Sequence, residues 1–282
     1  MSKIINGRFS DKVMIITGAA GGIGKAVALR AAKEGAKLVL ADRKEEMSKE
    51  TLKEIREITS NVEFLIYDLR VGENCKKVID TAIKKFGGLD ILINNAGITG
   101  TPAPVHEMSE EMFRNVLDCN IMIAFHCSHY GIQEMIKKNK GGAIVNVSSV
   151  AGLTGFPGHS AYVTSKHGLN GLTRNMALDY ARYGIRVNAV NPGTTDTPMY
   201  HEALEFLRNK REAAEKAGVK IEGGIVSGKV TSPQNRVARS EEVADVILFL
   251  ASPEASNVTG IFMPVDGGFT AFTLMVLCFI GR

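Results

Sequence analysis

The sequence has no tryptophan, and only four cysteines and eight prolines among its 282 residues. Cys75, Cys119, Cys127 and Cys278 form no CxxC pair and no Cys/His cluster at metal-ligand spacing. That excludes a disulfide framework and a zinc site, and predicts free, buried thiols. The six histidines show neither HxxxH nor HExxH spacing, so no metal is expected. No run approaches the roughly 20 apolar residues that cross a bilayer. The stretch from Met1 to Asp11 is polar and lacks the apolar segment of a signal peptide, so the chain reads as cytoplasmic. The formal net charge of +4 is small and spread along the chain, which argues for neither a nucleic-acid nor a membrane partner.

What is abundant is glycine, at 29 residues. Glycine in this amount suits many tight strand-to-helix turns. Short apolar runs at Val13–Thr17, Lys37–Ala41, Val62–Tyr67, Ile91–Asn94, Ala143–Val147, Arg186–Val190 and Ile261–Val265 read as strands. Most are continuously apolar rather than alternating, the mark of strands covered on both faces of a parallel sheet. Between them lie helical patterns near 23–34, 44–58, 73–86, 109–138, 160–182 and 241–251. Ser109 and Ser240 each precede a Glu-Glu pair and are expected to be N-caps. Strand-helix alternation of this kind predicts an α/β fold: a single Rossmann-type, doubly wound domain with a seven-stranded parallel sheet flanked by helices. No linker, repeat or low-complexity segment divides residues 1–282.

The first strand runs into Thr17-Gly18-Ala19-Ala20-Gly21-Gly22-Ile23-Gly24, and a helix follows. Phosphates are held by backbone N–H groups at close approach and by the positive end of a helix. Gly18 would let the chain turn, Gly22 would let the backbone approach a pyrophosphate, and Gly24 would let helix and strand pack. Asp42 ends the second strand, where a carboxylate can accept bonds from the adenosine ribose hydroxyls and repel a 2′-phosphate. This predicts NAD rather than NADP, a preference that Arg43 and Lys44 would soften. Asp68 ends the third strand and, with Leu69, is expected at the adenine.

These residues resemble the short-chain dehydrogenase/reductase family. The spacing Gly18-x3-Gly22-x-Gly24 is that family's, Asn94-Asn95-Ala96-Gly97 matches its NNAG motif, and Tyr162-Val-Thr-Ser-Lys166 matches its YxxxK motif. Ser149 precedes Tyr162 as the family's serine does, Asn120 matches its asparagine, and Asn191-Pro192-Gly193 with Thr197 matches the segment that meets the nicotinamide. Asp266-Gly267-Gly268 closes the chain as in many members. The resemblance covers roughly residues 10–270. It implies an enzyme in which Asn120, Ser149, Tyr162 and Lys166 are catalytic. The cofactor would touch Gly18, Gly22, Ile23, Gly24, Asp42, Arg43, Asp68, Leu69, Asn95, Ala96, Gly97, Tyr162, Lys166, Pro192, Gly193 and Thr197. A nearby ammonium favours the phenolate of a tyrosine, so Tyr162 would exchange the alcohol proton while Ser149 holds the substrate oxygen. Lys166 would also hold the nicotinamide ribose, and Asn120 a water linking Lys166 to solvent. Ser148 and His167 read as structural, and His159 as a lining residue of the substrate pocket.

Two stretches stand outside this rhythm. Residues 198–239 are too long for a simple connection and are expected to form a lid over the substrate. With Ile98–Pro104 and Ala151–Ser160 they supply Leu153, Phe156, Met199, Tyr200, Leu204 and Phe206, a lining that suits an apolar secondary alcohol: cyclic, hydroxysteroid-like or a diol. Residues 273–282 form an apolar tail, too short to span a membrane. The tail, with Phe269 and Phe272, is expected to pack against the protein or a subunit mate, in a homotetramer or homodimer that also uses the helices near 109–138 and 160–182. Two alternatives stay open: a 3-oxoacyl-[acyl-carrier-protein] reductase-like NADPH enzyme, and a non-catalytic, cofactor-binding regulator.

Overall fold

The computed structural model describes residues 4–216 and 232–271. Its centre is a sheet of seven strands paired in parallel in the order β3-β2-β1-β4-β5-β6-β7. The strands are β1 (Val13–Thr17), β2 (Lys37–Asp42), β3 (Val62–Ile66), β4 (Ile91–Asn94), β5 (Gly142–Val147), β6 (Ile185–Pro192) and β7 (Phe262–Val265). Their ends fall within two residues of the apolar runs, the usual scatter of element boundaries. The continuous apolarity has the cause inferred from it. Met14, Ile16, Leu38 and Leu40 face one core and Val13, Ile15, Val39 and Ala41 the other, so no face is left for polar residues. Pro264 lies on β7, a strand at the sheet edge, where a missing N–H breaks no ladder.

Helices cover both faces. The helices α1 (Gly22–Lys33) and α8 (Ser240–Ala251) lie against each other on one side, through Val27, Ala28 and Ala31 of α1 and Val243, Ile247 and Leu248 of α8. On the other side α3 (Gly72–Phe86), α5 (Ile123–Lys138) and α6 (Ser160–Tyr180) bury Val78, Ile79, Cys127, Met135 and Met176. The remaining helices are α2 (Glu45–Arg56), α4 (Glu110–Leu117) and α7 (Pro198–Lys216). Cys75, Cys119 and Cys127 are free and buried, as expected; Cys278 lies outside the described residues.

Three local expectations change or sharpen. The long helix expected over 109–138 is α4 and α5 joined by a π turn, Asp118–Met122. Ser109 does cap α4, accepting the Met112 N–H at 3.2 Å. Ser240 is not a cap but the first residue of α8; Arg239 is the cap, its N–H bound by the Glu242 carboxylate at 2.8 Å. The Ser240 hydroxyl instead donates to the Asp196 carbonyl at 2.8 Å, a partner remote in sequence and invisible to a local pattern. The lid stretch contains α7, and 232–239 return beside Gly267 and Gly268. The tail 273–282 and Phe272 lie outside the described residues. Among the described residues, no helix is long and apolar enough to cross a membrane, and no cluster of His, Cys, Asp or Glu could hold a metal.

Candidate active site

The strand order reverses between β1 and β4, since β2 and β3 lie on one side of β1 and β4 to β7 on the other. In such sheets the crevice beyond the carboxyl ends at this switch point takes the ligand. The chain builds that crevice around Thr17. Its buried hydroxyl accepts the N–H groups of Asn95 and Ala96 at 3.0 and 3.1 Å, so the end of β1 and the turn after β4 are tied by one oxygen. Asn95 returns the tie, its Nδ2 donating to the carbonyls of Thr17 and Gly18 at 3.0 and 2.9 Å. Gly18 has φ +65° and Gly22 φ +53°, a region that L side chains rarely adopt. At Gly24 a Cβ would lie 2.2 Å from the Gly18 carbonyl oxygen, so only glycine lets α1 start this close to β1.

The start of α1 suits a pyrophosphate. Its cap residue, Gly21, has no side chain to satisfy the first N–H groups, and no acidic residue stands in the first turn. By contrast, α2, α3, α4 and α8 each carry a glutamate there. Free N–H groups and an unopposed helix dipole form an anion site. Asp42 is built into the same turn, its Oδ2 accepting the Ala20 N–H and its Oδ1 the Lys44 N–H, both at 3.0 Å. Arg43 is exposed beside it. Ile23 packs on the core under the turn. Asp68 is engaged by Arg70, whose Nε donates to both carboxylate oxygens at 3.0 Å, and the guanidinium holds this carboxyl below its usual range. Leu69 next to it is buried.

On the far side of the switch point, Asn120 sits in the π turn, a distortion that recurs at functional sites. Its Oδ1 accepts the Ile98 N–H at 2.8 Å, and its Nδ2 donates to the Ile98 carbonyl and the Ser165 hydroxyl at 2.9 and 2.8 Å. Ser165 in turn donates to the Tyr162 carbonyl at 2.7 Å. Gly97 lies at the centre of this group: a Cβ there would be 3.0 Å from Asn120 Oδ1 and 3.6 Å from Lys166 Nζ. Lys166 is 4% exposed, and its Nζ donates to the Val147 carbonyl at 2.8 Å. That leaves two of its three N–H donors for other partners. Burial pushes its pKa down to about 8.

Tyr162 and Lys166 lie one turn apart on α6, with Nζ 5.6 Å from the ring centre. Burial pushes the Tyr162 phenol up from its ordinary value, and a hydrogen bond with Ser149 opposes that. Ser149 is fixed by the Ala151 N–H on its hydroxyl at 3.1 Å and by Asn191 Nδ2 on its carbonyl at 2.6 Å. The Ser148 hydroxyl donates to the Lys166 carbonyl at 3.2 Å. Pro192 ends β6 and Gly193 turns beside Asp266, where a Cβ would lie 2.9 Å from the Asp266 Cα. The Thr197 hydroxyl accepts the Tyr200 N–H at 3.2 Å and so caps α7. Thr197 and Pro198 pack on Gly22 and Gly21, which seats the start of α7 on the glycine-rich turn.

The glycine-rich turn, Asn95, Ala96, Gly97, Asn120, Ser149, Tyr162, Lys166 and Thr197 thus gather at one crevice. Thr17, Ser165 and Asn191 were missed as site residues, although each stands inside or beside a recognised motif. Each acts by positioning, and each has a partner distant in sequence: Asn95 and Ala96 for Thr17, Asn120 for Ser165 and Ser149 for Asn191. Phe156 stacks on Phe269 at 5.8 Å between centroids; His159 is half-buried, its pKa lowered by burial, and His167 is exposed.

Residues 12–207 match a family model described as short chain dehydrogenase. The chain belongs to the short-chain dehydrogenase family. It is similar to a 3beta-hydroxysteroid dehydrogenase of Mediterraneibacter gnavus, 40% identical over 95% of this chain and 98% of that one. It is also similar to a cyclohexanol dehydrogenase of Acinetobacter sp., 38% identical over 96% of this chain and 100% of that one. A crystal structure of a short chain dehydrogenase from Mycobacterium paratuberculosis bound to NAD superposes with a TM-score of 0.84, at 31% identity over 94% of this chain and 100% of that one. As a family member the chain is an oxidoreductase acting on CH–OH groups.

Proposed function

We propose that this short-chain dehydrogenase is an NAD-dependent enzyme that interconverts a cyclic secondary alcohol and its ketone, using Asn120, Ser149, Tyr162 and Lys166. The observation that carries this reading is the buried Lys166 ammonium, held by the Val147 carbonyl beside the Tyr162 ring. With a pKa of about 8, Lys166 is mostly cationic at neutral pH. Its charge favours the Tyr162 phenolate against the desolvation that raises the phenol. Tyr162 then takes the proton of the substrate alcohol, or returns it to the alkoxide in the reverse direction. Ser149 donates to the substrate oxygen and keeps it at Tyr162. Asn120, bound to Ile98 and Ser165, supports a water that links Lys166 to solvent. The nicotinamide, when bound, supplies the acceptor or donor of the hydride.

The chain's residues fit that cofactor along its length. The open N–H groups at Gly22, Ile23 and Gly24 receive the pyrophosphate, with Gly18 turning the chain beneath it. Asp42 accepts the adenosine ribose hydroxyls, with Arg43 beside it, and Asp68 and Leu69 border the adenine. Asn95, Ala96 and Gly97 line the cleft. Tyr162 and the two spare N–H groups of Lys166 meet the nicotinamide ribose, with Pro192, Gly193 and Thr197 at the nicotinamide. The substrate lies beside α7, the described start of the 198–239 stretch, against Leu153, Phe156 and Phe269; residues 217–231 lie outside the described residues. A cyclic substrate agrees with this apolar wall and with the names of the relatives. Exposed Leu178 on α6 and Phe125 on α5 favour a homodimer or homotetramer that covers them.

The test is nicotinamide absorbance with NAD or NADP and a panel of steroid, cyclic and short-chain secondary alcohols. Turnover with NAD on a cyclic alcohol is expected, and Tyr162→Phe should lower kcat by at least about 100-fold, the usual share of a general acid–base group. Full activity in that variant would refute the assignment.

A further inference from the structure

Asp42 does not stand alone at the end of β2. Arg43 and Lys44 follow it, so the turn carries one negative and two positive charges, and a 2′-phosphate placed there would meet a net positive site. Lys44 belongs to this turn through its backbone, whose N–H is bound by Asp42 Oδ1. Its side chain, however, crosses to the lid: Nζ lies 3.1 Å from Oε1 of Glu202. Glu202 is carried there by the seating of α7. Thr197 caps the helix, a Cβ at Gly22 would lie 3.0 Å from Thr197 Cγ2, and one at Gly21 would lie 3.4 Å from Pro198 Cγ. Glu202 stands one turn further along, where it meets the Lys44 ammonium beside Asp42.

We propose that Glu202 is a second determinant of the cofactor, excluding NADP by holding the Lys44 ammonium that would otherwise receive a 2′-phosphate. This inference rests on the reading of Asp42 as the acceptor of the adenosine ribose. With Glu202 present, the four side chains Asp42, Arg43, Lys44 and Glu202 sum to no net charge. The phosphate dianion then loses both its partner and the favourable field. Glu202 adds a carboxylate within reach of the same ammonium, so a 2′-phosphate has to compete for Lys44 rather than simply bind it. Lys44 and Glu202 are 46% and 66% exposed on their side chains, so the pair contributes little to folding, and its removal leaves the scaffold intact.

The experiment is calorimetric titration of the full chain with adenosine 2′,5′-bisphosphate and with 5′-AMP, which differ only in the 2′-phosphate. Glu202→Gln should tighten the bisphosphate about fivefold, the scale of one exposed charge contact, and leave 5′-AMP within about twofold. Adding Lys44→Met to that variant should return the bisphosphate affinity to the wild-type level. Steady-state kcat/KM for NADP against NAD should move in parallel, through KM. An unchanged bisphosphate-to-AMP ratio in Glu202→Gln overturns the proposal. So does a gain that survives Lys44→Met, because the effect would then be a general field and not the release of Lys44. The Asp42 reading fails separately, if Asp42→Ala leaves the wild-type ratio unmoved.

Discussion

Gly24→Ala tests the closeness of α1 and β1 at the glycine-rich turn. In an open helix interior this change stabilises by up to about 1 kcal/mol, because glycine is the poorer helix former. Here the new Cβ would lie 2.2 Å from the Gly18 oxygen, 2.9 Å from the Gly18 carbonyl carbon and 2.6 Å from Asn95 Nδ2. Two of these atoms are backbone and the third is held by two hydrogen bonds, so none can step aside; α1 has to lift from β1. Overpacking of this kind costs about 1–3 kcal/mol net, and loosening the Asn95 bonds to Thr17 and Gly18 adds to it. For a chain of this size each kcal/mol moves the melting temperature by roughly 2–4 °C, so a fall of about 3–10 °C is expected by calorimetry without cofactor. The control is Gly21→Ala. Its Cβ would crowd the Met47 Cε at 2.6 Å, the tip of a side chain free to rotate, and touch Pro198 Cγ at an ordinary 3.4 Å, and the backbone there is extended, at φ −160°. That variant should melt within about 2 °C of wild type, a shift under about 1 kcal/mol. A Gly24→Ala protein that melts at or above the wild-type temperature would show that the contact is not confining, and would remove the physical reason given for glycine at this position.

Three further outcomes follow from buried or paired charges. The unfolded chain binds the Lys166 proton up to about its ordinary value of 10.5, whereas the folded chain releases it near 8. Stability without cofactor should therefore rise with pH between those values; Lys166→Met should remove that rise, and parallel pH dependences of the two proteins would sink the idea. Glu34 is fully buried and bound by Arg8 and Arg30 at 2.6 and 2.5 Å. Glu34→Gln leaves two guanidinium groups facing a neutral amide, and a loss of about 3–5 kcal/mol in denaturant unfolding is expected; a loss below about 1 kcal/mol would mean that the cluster is solvated. Glu242, held down to about 2 by Arg236 and by the Arg239 N–H, contributes stability above its ordinary 4.5 that is lost as pH falls towards 2. Glu242→Gln should thus melt lower than wild type at neutral pH and converge with it in acid, and a gap that persists in acid would contradict the assignment.

Much of this molecule is determined by sequence alone, and the reason is local. Val13–Thr17 and Ile91–Asn94 are apolar at every position but their last, which only a sheet covered on both faces demands. The glycines at 18, 22 and 24 are dictated by a backbone conformation and a close approach within one turn of chain. Tyr162 and Lys166 meet because a helix brings positions four apart to one face. Ser109 caps α4 because its partner is three residues away.

Other features were decided only when distant segments met. The Thr17 hydroxyl binds N–H groups at 95 and 96, Asn191 holds the Ser149 carbonyl, and Ser240 turns to Asp196 instead of capping its own helix. The Lys44 ammonium, two residues after Asp42 in the chain, is paired with Glu202 of α7. A hydrogen bond or charge contact is set by a few ångströms in space. Sequence spacing gives that distance only within a turn or a helix, and beyond those limits the packing of the sheet and its helices supplies it.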